Sequence, residues 1–173
     1  MKILLFITTI TSLIFSPHLR AESDNSYLES HENFISLPSS NDEARAWAVC
    51  AASLDILSEL LEDTKPNTAL QLNNLSNGAD VAVMMSQVMR LMNESGDDLD
   101  PKEFTATVRY GKMQMEELPA VQKTIILADL ESNGPEEMFK KLNKTVEICI
   151  ENNELQKIYV DMMRDIAKSG IFN

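Results

Sequence analysis

Apolar positions recur along most of this chain with the 3.6-residue period of a helix, and polar start and stop signals divide them into segments. Trp47, Cys50, Ala51, Leu54, Leu57 and Leu61 fall at i, i+3, i+4, i+7, i+10 and i+14. Ser40 and Glu43 stand in the spacing of a capping box ahead of them, so a first amphipathic helix is expected from there to about Asp63. Lys65-Pro66 opens a second, because Pro has no N–H to lose at the first helical position and disfavours helix in the residue before it. Asn77-Gly78 has the residues of a left-handed cap, and a break is expected there before the pattern resumes toward Asn93.

Asp100-Pro101-Lys102-Glu103 combines a cap, Pro at the first position and Glu in the first turn, ahead of Phe104, Val108, Gly111 and Met115. Pro119 is read as the start of a fourth helix holding Val121, Ile125, Ile126, Ala128 and Leu130. Asn133-Gly134-Pro135 then separates a fifth, where Met138, Leu142, Val146 and Cys149 recur on one face. In the sixth, Leu155, Ile158, Tyr159, Met162 and Ile166 give the cleanest stripe in the chain, ended by Ser169-Gly170. No stretch alternates with the period of a strand, and no internal repeat is present. The expected fold is all-α, a single-domain antiparallel bundle of five to six helices spanning residues 41–173.

Two segments precede that bundle. Lys2 followed by the uncharged run Ile3 to Phe15 has the form of a secretory signal, and the run is shorter than the roughly 20 residues that a spanning helix needs. Cleavage after Ala21 is expected, giving a removed segment at 1–21 and a protein exported to a periplasm or the extracellular space, with no stable membrane insertion afterwards. Residues 22–40 interleave acids and Ser around Phe34, Ile35 and Leu37 and read as a flexible polar arm.

Export changes the reading of the two cysteines. Cys50 and Cys149 lie on the inward stripes of the first and fifth helices, so an inter-helix disulfide between them is expected. Charge then narrows the partners. The chain has 15 basic and 27 acidic residues, and loss of Lys2 and Arg20 with the signal leaves 13 against 27, a net charge of −14. Such a field repels phosphate backbones and anionic lipid surfaces, so nucleic acid and peripheral membrane binding are not expected, whereas a cationic protein partner is.

Candidate chemistry is sparse. Met85, Met89 and Met92 share a helical face, where three thioethers could hold Cu(I), but the same residues continue a core stripe and have no Cys or His beside them. Met84, Met113, Met115 and Met163 could form an adaptable apolar surface. His31, the one histidine of the mature chain, falls in the polar arm and gives a Ser or Cys nucleophile no rigid base. Glu94, Asp97, Asp98 and Asp100 do not fit a calcium loop, because Pro101 and the missing sixth-position Gly break its register. No enzyme activity and no cofactor are therefore expected. The sequence favours a protein-binding module acting as an inhibitor, adaptor or chaperone-like protein; the alternative is a carrier of a small apolar ligand or of copper between its helices.

Overall fold

The computed structural model describes residues 27–169, so the expected signal at 1–21 lies outside the described residues. Among the described residues the chain is all-helical, a single domain of five α-helices joined by short connections. They are α1 (Ser40–Leu61), α2 (Pro66–Ser95), α3 (Pro101–Asn133), α4 (Pro135–Glu151) and α5 (Asn153–Lys168). A 3-10 turn, Phe34–Ser36, precedes α1.

α1 and α2 form the central pair. α3 lies against both, α4 packs on α1, and α5 packs on α2. From Glu43 to Leu54 every residue of α1 except Arg45 is buried, which a two-faced amphipathic helix would not require. The nominally polar side of α1 carries Ala44, Ala48, Ala51 and Ser53, small enough to let neighbouring helices close over it. Trp47, Leu54, Met85, Val88 and Tyr159 fill the main core, and Ile56, Ile126, Met138 and Leu142 form a second apolar cluster beneath α3 and α4.

Two expected boundaries are absent. α2 runs unbroken through Asn77-Gly78. Gly78 serves a close approach instead: a Cβ on it would lie 2.0 Å from Gln156 Nε2, the atom that donates to the Leu75 carbonyl at 2.7 Å. α3 likewise continues through Pro119, so the expected third and fourth helices are one. Proline removes the N–H that would bond the Met115 carbonyl, but Met115 and Pro119 both line an open cavity, where the missing bond is not sealed in apolar surroundings. Ile126 and Leu130 turn inward from this part of α3, while Val121 and Ala128 are exposed.

Starts fixed by local chemistry agree with the sequence. Pro66 and Pro101 occupy the first turns of α2 and α3, and the Asp100 side chain accepts from the Lys102 N–H at 2.8 Å. Gly134, at φ 80°, separates α3 from α4 in a conformation that suits glycine. The cap of α1 differs by one residue: Ser39 accepts from the Asp42 N–H, and Ser40 donates its hydroxyl to Gln87 Oε1 at 2.7 Å. Glu43 is thereby released from the expected capping box and turns into the core.

Residues 27–39, expected as part of a flexible arm, are strapped across the bundle. Tyr27 donates to Asp129 Oδ2 at 2.9 Å, and the Leu28 N–H donates to Thr145 Oγ1 at 3.1 Å. The Asn152 side chain receives the Phe34 N–H and donates to the Glu32 carbonyl, while Arg90 donates to the carbonyls of Leu37 and Pro38. Phe34, 2% exposed, packs edge-on against Trp47 with ring centroids 4.7 Å apart. That one aromatic anchor is what the Ser- and acid-rich composition concealed.

Candidate functional site

Cys50 and Cys149 are bonded, with a Cα separation of 5.7 Å, joining α1 to α4 across 99 residues of chain. Both cysteines are buried in the main core, Cys50 one helical turn along α1 from Trp47. Met85 lies in the same core at 0% exposure, with Met89 and Met92 half-buried against it. Met84, Met113, Met115 and Met163 do not form one surface: Met84 is buried where α3 approaches at Gly111, and Met113 is exposed. Among the described residues, no group of three or more His, Cys, Asp or Glu side chains is placed to hold a metal ion, and no helix is long and apolar enough to cross a membrane.

The sequence stripe of α5 is rotated in the fold. Ile158 is 54% exposed, and Gln156, a polar position two residues before it and so on the opposite face, is 5% exposed because it fills the slot at Gly78. Beside this contact α2 and α5 leave an open groove of about 850 Å³. Leu75, Val81 and Val160 supply apolar surface; Gln71, Asn74 and Asn77 on α2, with Lys157, Asp161 and Arg164 on α5, give polar groups along it. Nothing in the sequence alone marked that groove, since it depends on the pairing of two helices far apart in the chain.

Two carboxylates stand out electrostatically, and sequence reading missed both. Glu43, 4% exposed, accepts the Tyr159 hydroxyl at 2.5 Å and the Trp47 indole N–H at 3.4 Å on the same oxygen. Burial raises its pKa above the usual carboxylate range, against the partial opposition of Tyr159, Trp47 and the charge of Arg90. Burial and the adjacent carboxylate together raise the Tyr159 hydroxyl as well. Asp80 faces a cavity of about 300 Å³ between α1, α2 and α3, and burial, with the nearby Asp55 charge, lifts it to about 6.

Elsewhere charge is compensated. Lys123 bridges Asp55 and Glu59 at 2.7 and 2.8 Å, and those partners outweigh the opposing effect of burial to raise its pKa. Burial acts to raise Asp129, but bonds from Asn133, Tyr27 and Lys141 outweigh it and hold this carboxyl below its ordinary value. His31 pairs with Glu151 at 2.8 Å, in an exposed position on the strap with no nucleophile bonded to it. Comparison with protein-family models, with curated proteins and with solved structures gives no match to this chain.

Proposed function

We propose that the mature chain is an exported protein-binding module, an inhibitor, adaptor or chaperone-like protein that engages a cationic protein partner through its acidic surface. The observation that carries this reading is the distribution of charge. The chain holds 27 acidic residues against 15 basic ones, and Lys123, Lys141, Lys157, Arg164 and Lys168 are each taken up by an acidic neighbour within the fold. Acids thus outnumber the cations that could pair with them, and apart from Glu43, Asp55, Asp80 and Asp129 the acidic side chains whose burial is described are exposed. Such a surface accelerates encounter with a cationic protein and disfavours acidic ones. The buried disulfide fits an oxidising compartment, where an exported chain would form it.

The carrier reading receives less support, because Met85 is closed into the core and the groove between α2 and α5 is open to solvent rather than enclosed. Affinity capture from the natively exported fraction, at low and high salt, tests the proposal. A cationic protein retained at low salt and released at high salt is expected, with an association rate that falls as screening shortens from about 10 Å at 0.1 M to about 3 Å at 1 M. A flat association rate, or a partner as acidic as this chain, would overturn it.

A further inference from the structure

The cavity between α1, α2 and α3 is lined by three carboxylates and one cation that is already committed. Asp55 comes from α1, Ser76 and Asp80 from α2, and Glu116 and Lys123 from α3. Lys123 Nζ donates to Asp55 Oδ2 at 2.7 Å and to Glu59 Oε1 at 2.8 Å. The Ser76 hydroxyl is directed to the Ala51 carbonyl at 2.9 Å. Asp80 receives no hydrogen bond among the described residues, and the charge nearest in effect is that of Asp55.

We propose that this cavity is an acid-tightened joint: protonation of Asp80 removes its repulsion with Asp55 and lets α1, α2 and α3 close, whereas ionisation of Asp80 loosens them. The inference is independent of the protein-binding reading. Charged groups lining the joint from the packed elements are Asp55 on α1 and Glu116 and Lys123 on α3; Lys123 is shared with Glu59 of α1, and Lys112 of α3 stands 3.8 Å from Glu116, which leaves Asp55 as the charge that acts on Asp80.

The raised Asp80 value, about 6, supports the same direction. A carboxyl whose folded value exceeds its unfolded one binds its proton more tightly in the fold, so stability is gained as pH falls from about 7 toward about 4. A salt-bridged carboxylate behaves in the opposite way. Glu43 shares the sign of the shift but sits among Tyr159 and Trp47, outside this cavity, so the two separate by substitution.

The test uses the full mature chain and the Asp80→Asn variant, with thermal unfolding at about pH 7.5 and about pH 4.5 and a carboxyl NMR titration of the wild type. Discounted for the exposure of Asp80, the effect at the higher pH is about ten-fold in the unfolding equilibrium, or a rise in Tm of about 4 °C for Asp80→Asn. That gain should vanish at the lower pH, and the Asp80 carboxyl should titrate near 6. A gain that is absent at the higher pH, or equal at both, would overturn the joint, as would an Asp80 midpoint at or below about 4, the unperturbed range. Because Asn could disturb packing by itself, Asp55→Asn gives a second arm: it should move the Asp80 midpoint down, and an unmoved midpoint would also overturn the proposal.

Discussion

Glu43 and Asp80 are carboxylates of the central helix pair, both raised by burial, and the molecule serves them differently. Around Glu43 the fold is sealed. α5 brings Tyr159 to the carboxylate, Trp47 adds its indole N–H, and the strap closes the outside with Phe34. Around Asp80 the fold is open: no donor among the described residues reaches it, and the lysine on the cavity wall bonds Asp55 and Glu59. A buried charge becomes part of the architecture when distant segments supply its hydrogen bonds; left with only a like charge, it opposes the packing that buries it.

The largest effect is expected on the sealed side. Replacing both Cys50 and Cys149 by Ala should lower the unfolding free energy by about 4 kcal/mol, the chain-entropy value for a closed loop of roughly 100 residues. Denaturant unfolding of the variant measures this, and a loss under about 1 kcal/mol would mean that the α1–α4 contact holds without the bond.

Phe34→Ala comes next, at about 3–4 kcal/mol for a buried Phe whose space the neighbours cannot fully close. Trp47 is the only tryptophan, so its emission should shift to the red as solvent reaches the ring it lost. An unchanged spectrum would show that the strap does not seal this side.

Tyr159→Phe should cost about 1–3 kcal/mol near neutral pH, because Glu43 keeps only the longer bond from Trp47. The loss should shrink on acidification, since a protonated Glu43 no longer holds an uncompensated charge. Unfolding across a pH series checks it, and a pH-independent loss would place the effect in packing alone.

The smallest change concerns the open side. Lys123→Met should destabilise by about 1 kcal/mol or less, given that its ion pairs are partly solvated. Its sign is opposite to that of Asp80→Asn, and the loss should be smaller in the Asp80→Asn background, where one fewer negative charge lines the cavity. A double-mutant cycle measures that difference; strictly additive effects would separate Lys123 from Asp80 and erase the contrast with Glu43.

The sequence was most legible where structure depends on a few adjacent residues. Pro66, Asp100-Pro101 and Gly134-Pro135 act within one turn and mark the helix starts that the fold contains. The cysteines were legible because both lay on inward stripes of clearly periodic segments, which brought the α1–α4 bond within reach of pattern reading. The groove and the two perturbed carboxylates were not legible, because Gln156 reaches Gly78, and Tyr159 reaches Glu43, only after α5 has chosen its place on the central pair.

By itself, then, the order of residues determined the helical class, most helix starts, the inward phase of the cysteines and the excess of negative charge, all of which follow from local geometry or composition. Tertiary structure decided that helix persists through Gly78 and Pro119, whose local penalties of about 1 and about 3 kcal/mol are small beside what packing a continuous helix recovers. It also decided that Glu43 enters the core rather than capping α1, that Gln156 is buried while Ile158 is exposed, and that Phe34 anchors a polar strap. Each of those outcomes depends on the shape and hydrogen-bonding capacity of a surface contributed by another part of the chain, and periodicity along one helix carries no record of that surface.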